Sequence, residues 1–441
     1  MRSGRTSVLL LLAAAGCVAV TSLAERLDTP AQPARAVIKN QGFLPFADAP
    51  INYRSAKLDD PITRLEQRLE RGETSLPYEP GHGYLRSVLD ALHVPISSQT
   101  LVFAKTSFQF PQIDPAHPRA LYFNDDVYVG RVHNGKFLEF VSFDPKQGAI
   151  FYVIDERPSP NPRFERAAVD CVQCHVASAT RGVPGVMLRS VFAKPSGYPA
   201  AGAQSFVTGQ ESPLSERWGG WYVTALRGAE GGMGNAIVAD SQHPELTKPA
   251  VANVTDLRAH LNTAAYLTGS SDVVALMVLA HQTQMHNLIT QTTYRTRLGQ
   301  PFEDAAEQMV RYLLFTNEAR LTSPIAGNSS FTKDFAARGP FDSQGRSLRQ
   351  FDLQTRIFKY PCSYLIYSET FDGIPSPTKE YVYRRLLAVL SGQDQSPEFK
   401  SLSAQDRRAI LEILVATKQG LPPEWKQFLG RENQSITQLN R

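Results

Sequence analysis

The chain has few cysteines for its size. Four occur among 441 residues, and only Cys171 and Cys174 stand close together. Small secreted proteins that depend on disulfides carry cysteine at a much higher density. The sequence therefore excludes a disulfide-stapled scaffold, and buried apolar side chains must hold the fold together.

The chain also lacks a strong charge of either sign. Lys and Arg number 46 against 42 Asp and Glu, for a formal net charge of +4. No basic patch of the kind that binds nucleic acid is present, so a nucleic-acid partner is excluded. The hydrophobic content of 42% is typical of a globular protein, and the length predicts two or three domains.

Long hydrophobic runs are missing, apart from one near the N-terminus. Residues 8–20 are apolar and follow two arginines, which is the pattern of a signal peptide. The run is too short to cross a bilayer comfortably, and residues 22–24 offer a cleavage site before Glu25. The alternative is a bacterial lipoprotein signal, in which Cys17 is lipidated and anchors the chain to a membrane. The sequence therefore predicts an exported, periplasmic protein.

The cysteine pair opens the most informative segment, Cys171-Val172-Gln173-Cys174-His175. Two cysteines three apart, followed directly by a histidine, have the spacing by which c-type haem is attached. Each thiol adds to one vinyl group on the same edge of the porphyrin, and the adjacent histidine ligates iron. The segment resembles the haem-binding motif of the cytochromes c. The resemblance is specific, but it covers only these five residues and their surroundings.

The resemblance implies one covalent haem c, because the chain contains the motif once. It makes Cys171 and Cys174 the thioether anchors and His175 the proximal iron ligand. Covalent attachment of haem in bacteria takes place outside the cytoplasmic membrane. The motif and the predicted export signal therefore support each other.

Other uses of a Cys-x-x-Cys pair remain open. Such pairs occur in zinc sites, redox dithiols and disulfides. Zinc needs two further ligands, and His281 and His286 keep that alternative open. A thioredoxin-like dithiol expects a βαβ setting and gives no reason for a histidine after the second cysteine. Cys362 is left alone, and we expect it to be buried and inert.

The clearest β region covers residues 100–157. Asn134-Gly135 is a strong hairpin signal, residues 144–148 have turn chemistry, and Asn124-Asp125-Asp126 is expected to form another turn. Five apolar runs are predicted strands: residues 101–104, 120–123, 127–133, 136–143 and 149–154. They predict an antiparallel meander, whereas the small cytochromes c that the motif resembles are almost wholly helical.

Helical periodicity dominates the second half of the chain. Predicted helices cover residues 272–293 and 303–316, and two more begin at Ser376 and at Ser403, where Asp406 completes a capping-box-like pair. The predicted fold class is α+β, with an antiparallel β-meander followed by a mainly helical cytochrome c-like haem region and C-terminal helices. The predicted divisions are a signal peptide at 1–24, an N-terminal extension at 25–99, a β-rich region at 100–157, a haem c-binding region at 158–295 and a helical C-terminal region at 296–441.

Residues that follow the motif are candidates for contact with haem. Proteins usually offer the two haem propionates Arg, Trp or Tyr donors. Six such residues lie close by in sequence: Arg181, Arg189, Arg217, Trp218, Trp221 and Tyr222. We expect at least one of them to contact haem, with Arg189, Trp218 and Trp221 favoured; the alternative for each is an ordinary core or surface role. The resemblance also predicts a backbone carbonyl near Pro184 against the second ring nitrogen of His175, with a plain surface turn as the alternative.

The sixth iron position is expected to be filled, if at all, by a Met or His beyond residue 180. Met233 lies in a glycine-rich loop 58 residues after His175, and Met285 shares one face of a predicted helix with His281. His286 points to another side of that helix. Met233 or Met285 is the first choice, and the alternatives are either histidine, another residue or an open site.

The predicted function is electron transfer through the covalent haem, with a redox partner protein. The chain is longer than this role requires, because a carrier needs only about a quarter of its length to enclose one haem. The alternatives are a haem-dependent oxidoreductase, peroxidase- or oxygenase-like, and a haem sensor or a subunit of a redox complex.

Overall fold

Nine β-strands organise the part of the chain that the structure describes. This structure, a computed structural model, describes residues 42–238 and 253–439. The strands are β1 Thr100–Val102, β2 Arg119–Phe123, β3 Val127–Arg131, β4 Phe137–Asp144, β5 Gly148–Asp155, β6 Glu165–Arg166, β7 Arg189–Val191, β8 Ser205–Val207 and β9 Trp221–Tyr222. Seven of them form an antiparallel sheet in the order β6-β5-β4-β3-β2-β1-β9, and β7 pairs with β8.

The first five strands confirm the predicted meander, each within two residues of its expected bounds. Asn134-Gly135 lies in the β3–β4 connection as predicted, with Asn134 at a φ of 59°. That connection runs over residues 132–136, so it is longer than a two-residue hairpin turn. In the β4–β5 turn, the Asp144 carboxylate accepts hydrogen bonds from the backbone N–H groups of Lys146 and Gln147, both at 2.8 Å.

Strand register divides the sheet into two faces. Leu121 pairs with Gly130, Gly130 with Glu139, and Glu139 with Val153, so these four residues form one row on what we call the front face. Neighbouring residues on each strand point to the other, back face, because side chains alternate along a strand. Tyr152 on the back face donates a hydrogen bond to Asp60 at 2.7 Å.

Ten helices complete the described residues. They are α1 Pro61–Glu70, α2 Leu85–Ala91, α3 Val172–His175, α4 Val273–Arg297, α5 Glu303–Leu313, α6 Phe331–Ala337, α7 Glu369–Asp372, α8 Ser376–Leu390, α9 Ala404–Thr417 and α10 Pro423–Leu439. The four predicted helices are confirmed as α4, α5, α8 and α9. The capping box of Ser403 and Asp406 forms at the start of α9, where each side chain accepts a hydrogen bond from the other residue's backbone. The α+β class is thereby confirmed.

Helix α4 is more deeply buried than its apolar stripe predicts. Every residue from Val273 to Tyr294 is buried. The helix covers one half of the front face, where the His286 ring stacks on Phe143 at 3.7 Å between centroids and Gln282 donates to the Tyr128 hydroxyl at 2.9 Å. Helices α5, α6, α7 and α8 also contact it, and some of its polar side chains bond to residues outside the helices, as His281 does with Gln210.

The N-terminal predictions are described only in part. The signal peptide, its cleavage site and Cys17 lie outside the described residues. In the described part of the N-terminal extension, α1 is capped by Asp60 and packs against β4. The described residues belong to one compact unit, and no helix within them has the length and apolar character needed to cross a membrane.

Hydrogen bonds and ion pairs fix the β2–β3 turn. Asn124 accepts hydrogen bonds from the backbone N–H groups of Asp126 and Val127, as a turn former does. Arg349 and Arg338 both pair with the Asp125 carboxylate. The Asp126 Oδ1 atom is buried and has no partner among the described residues. Burial, together with the nearby carboxylates of Asp125 and Glu369, raises the pKa of Asp126 to about 7.

Replacing Asp126 with Asn should therefore change how stability depends on pH. The folded protein holds this proton more tightly than the unfolded chain, so the wild-type free energy of unfolding falls as pH rises from about 4 to about 7. The variant carries no buried charge and should gain in relative stability at about pH 8 compared with about pH 5. Urea denaturation at both pH values measures the difference, with Asp48→Asn, at an exposed position, as the control. An equal difference at both pH values would contradict the assignment.

Candidate haem-binding site

The Cys-x-x-Cys-His segment lies over the front face at strand β5. Ala167 follows β6 and donates its backbone N–H to the Phe151 carbonyl of β5 at 2.9 Å. The chain then turns over this edge into α3, and the ring of His175 packs against the Phe151 ring at 4.8 Å between centroids. The short strand β6 thereby delivers the motif to the sheet.

The two cysteines form no disulfide. The Cys171 side chain is half-buried and Cys174 is exposed. Burial raises the pKa of the Cys171 thiol to about 11, and the carboxylates of Glu139 and Asp170 add to the effect. A redox dithiol needs a thiol with a lowered pKa. Cys171 has the opposite property, so it is not the activated thiol that such a dithiol needs.

His175 has one ring nitrogen engaged. Its Nδ1 atom lies 2.8 Å from the Gly185 carbonyl oxygen, and the Gly185 N–H in turn donates to the His175 carbonyl at 3.0 Å. Burial lowers the pKa of His175, which favours a neutral ring protonated at Nδ1. The Nε2 atom has no hydrogen-bond partner among the described residues. A neutral imidazole that donates from one nitrogen to a carbonyl is the usual arrangement of a metal-ligating histidine.

The carbonyl expected near Pro184 is supplied by the next residue, Gly185. Helix α4 holds this segment, because the Asn287 side chain accepts from the Val186 N–H at 3.0 Å and donates to the Val186 carbonyl at 2.7 Å. A Cβ atom at Gly185 would overlap with the Asn287 amide, so only glycine permits this approach. Nδ1 therefore points toward α4. Nε2 lies on the other side of the ring, which packs on Phe151 of the front face.

The half of the front face that α4 leaves uncovered has an apolar floor. Leu121, Val141 and Val153 are apolar residues of the front face that are only half-buried. Exposed apolar side chains stand close to the motif: Phe43 is 66% exposed beside Gly182, and Val169, two residues before the motif, is 54% exposed. Such a concentration of accessible apolar surface is typical of a binding site. It fits a flat apolar group such as haem.

An ion pair crosses the same floor. Arg119 of β2 and Glu139 of β4 pair over Gly130 of β3, where a Cβ atom would overlap with the guanidinium. Glu139 also accepts hydrogen bonds from the side chains of Ser107 and Gln109. The Arg119 Nε atom is buried and has no partner among the described residues. Glu139 is two residues along β4 from Val141, which pairs with the Phe151 that contacts the His175 ring, so the pair lies close to the motif.

Sequence reasoning did not identify this pair. The usable signal was a charged residue on each of two strands that are otherwise mostly apolar, with a glycine on the strand between them. Recognising it requires the register of β2, β3 and β4.

The favoured haem-contact candidates lie together at the other edge of the sheet. Trp221 donates from Nε1 to the Arg189 carbonyl at 2.8 Å, and the Met233 sulfur lies 3.5 Å from the Ser190 hydroxyl. Trp218 is only 1% exposed, in the segment just before β9. Along the sheet, β9 is five strand spacings, or about 24 Å, from β5 below the motif. The structure joins these residues to one another but not to His175, and their contact with haem stays a prediction.

The remaining candidates for haem contact have other partners. Arg217 donates to the carbonyls of Ser212 and Gln210, and Arg181 donates to the Gln308 side chain. Tyr222 donates its hydroxyl to the Pro115 carbonyl at 2.7 Å.

The candidates for iron or zinc on α4 are engaged in the core. Met285 is completely buried. His281 lies between Gln210 and Ser363, with its two ring nitrogens at 2.6 and 2.7 Å from their oxygens. Nε2 of His286 lies 2.7 Å from the Asp125 carbonyl oxygen. The described residues contain no group of three or more His, Cys, Asp or Glu side chains arranged for a metal. The zinc alternative therefore has no support from this geometry.

The cysteine outside the motif, Cys362, is shielded from solvent. Cys362 is completely buried, and burial raises its pKa to about 12. This agrees with the expectation of an inert thiol, because the reactive form is the thiolate.

No protein-family profile matches this sequence, and neither do any of the curated proteins or solved structures compared with it. The motif and its geometry therefore carry the functional argument.

Replacing Asn287 with Ala should destabilise the protein and loosen the segment that holds His175. The change leaves the buried N–H and carbonyl of Val186 without partners, at a cost of about 1–3 kcal/mol. Urea denaturation measures it, with Asn161→Ala, at an exposed position, as the control. If both variants unfold at the wild-type midpoint, Asn287 does not hold the segment.

Proposed function

We propose that this protein is an exported redox protein with one haem c bound covalently through Cys171 and Cys174 and ligated by His175. The observation that carries the proposal is the state of the histidine. Its Nδ1 is bonded to the Gly185 carbonyl, while its Nε2 is unengaged within the described residues, and the ring packs on Phe151 of a sheet face whose half-buried residues include Val141 and Val153. That combination supports metal ligation beside a flat apolar group better than it supports a surface turn.

The surrounding residues fit haem in two respects, namely the state of the thiols and the apolar floor. The two thiols are unpaired, and the exposed Cys174 is accessible to a vinyl group. Leu121 and Val153 offer an apolar floor. Bound haem would supply one-electron redox chemistry, or oxygen and peroxide chemistry where an iron position is open.

The chain's own residues have distinct tasks in this proposal. Phe151 and the Gly185 carbonyl together orient the His175 ring and hold its proton on Nδ1. The apolar floor excludes water from one side of the site, which strengthens nearby electrostatic interactions. Arg119 and Glu139 place a fixed pair of charges on that floor.

The placement of the candidates for the sixth iron position favours a haem-dependent oxidoreductase or a haem sensor over a simple electron carrier. Met233 lies beyond β9, and Met285, His281 and His286 are enclosed around α4. A carrier usually has both axial positions filled by the protein, whereas catalysis and sensing need one position open. Electrons would still come from a redox partner protein, so the proposal retains the predicted redox partner.

Haem attachment tests the proposal directly. In cells with a working haem-attachment system, the wild-type protein should gain the mass of one haem and give a c-type pyridine haemochrome spectrum. The Cys171→Ala, Cys174→Ala double variant should gain none, because no thiol is left in the motif. Cys362→Ala is the matched control and should keep one haem. Covalent haem on the double variant would refute the assignment.

Export is tested by the mature N-terminus. Mass spectrometry of the protein from the periplasm should find a chain that begins at Glu25, since the cleavage pattern ends just before it. A lipid-modified Cys17 would show the membrane-anchored alternative. Recovery of haem-loaded full-length chain from the cytoplasm would contradict export.

A further inference from the structure

We infer that Arg119 and Glu139 form the side of the haem site opposite His175, and that the Arg119 guanidinium stabilises a small anionic ligand at the iron. The ligand class is that of fluoride, azide or a hydroperoxide anion. This inference rests on the proposed function, since it needs haem attached at the motif.

The orientation of His175 supports this placement. Nδ1 is hydrogen-bonded to the Gly185 carbonyl. The next residue, Val186, is bonded through both its N–H and its carbonyl to the Asn287 side chain of α4. The two ring nitrogens of imidazole point to opposite sides of the ring. A metal on Nε2 therefore lies on the side of the ring away from Gly185, and the ring itself packs on Phe151 of the sheet face that carries Arg119 and Glu139.

The strand register brings the ion pair to the same place. His175 contacts Phe151, which pairs with Val141 of β4. Glu139 is two residues along β4 from Val141 and points to the same face. Glu139 therefore lies in the row of paired residues next to the row that contains Phe151, the residue on which His175 packs.

Arg119 has an unused donor. Its side chain is 20% exposed, its Nη2 pairs with Glu139, and its buried Nε has no partner among the described residues. Several other arginines share this feature, and what distinguishes Arg119 is that its ion pair lies on the same sheet face as the motif. Guanidinium presents several N–H groups in one plane, which suits an oxygen, nitrogen or halide anion.

Glu139 positions the arginine. Both of its oxygens are within hydrogen-bond distance of Ser107, and one also accepts from Gln109 at 3.0 Å. The carboxylate is thereby fixed, and it holds the guanidinium over Gly130. The backbone of β3 can pass beneath the guanidinium only because Gly130 has no Cβ atom.

Ligand binding and spin state provide the test, after haem attachment has been verified by mass. The oxidised protein should show the spectrum of high-spin iron and bind fluoride, and the reduced protein should bind carbon monoxide. Arg119→Leu should weaken fluoride binding by roughly tenfold or more, because a charge-assisted hydrogen bond is lost. Arg119→Lys should weaken it less. Gly130→Ala should also weaken binding, because the new methyl group displaces the guanidinium while its charge is kept.

Arg131→Lys is the matched control. Arg131 forms the equivalent ion pair with Glu156 at 3.0 Å, but its side chain is on the back face. This variant should bind fluoride as the wild type does.

The outcomes separate the inference from the proposed function. Attached haem with a low-spin spectrum and no carbon monoxide binding would overturn the inference and leave the haem assignment standing. Fluoride binding that is unchanged in both Arg119→Leu and Gly130→Ala would overturn the role of Arg119. A protein that carries no haem would overturn both proposals together.

Discussion

The side chain of Asn287 connects the core of the molecule to the candidate site. It bonds to both backbone polar groups of Val186, inside a helix that is buried on all sides. This contact places Gly185, and Gly185 in turn fixes the tautomer and direction of the His175 ring. A deep core helix is a rigid support, because it is packed on every side. The geometry of a short motif near a sheet edge thus depends on a residue more than a hundred positions later in the chain.

Partial coverage of the sheet has a functional consequence. Helix α4 covers the half of the front face that ends at the β2–β3 and β4–β5 turns, where His286 contacts Phe143 and a Cβ at Gly148 would meet Thr290. The other half keeps Leu121, Val141 and Val153 only half-buried. An antiparallel sheet can leave one side accessible to solvent, but such a side is normally polar. An accessible apolar half next to the Cys-x-x-Cys-His segment is a surface that the proposed haem would cover.

The two Arg–Glu pairs of the sheet differ in their surroundings. On the back face, Arg131 also donates to the carbonyls of Gly81 and Ala265, so its guanidinium is held by protein groups on several sides. On the front face, Arg119 keeps a buried donor without a partner in the described residues. A buried ion pair stabilises a fold little unless its remaining polar groups are satisfied. This difference favours a structural role for the back pair and a ligand-directed role for the front pair.

The sequence by itself determined the features that depend on neighbouring residues. Strand alternation and turn residues located β1 to β5, and the Ser403–Asp406 capping box located the start of α9. The covalent haem chemistry that the spacing of Cys171, Cys174 and His175 predicts stays a prediction. Only the tertiary structure decided which distant residues share the site. The pairing of Arg119 with Glu139 requires strand register, and the contact of Gly185 with Asn287 requires the packing of α4. Sequence distance suggested Met233 as a partner of His175, which stays a prediction. Sheet order separates β9 from β5 by five strand spacings, because strand order follows pairing and not chain separation.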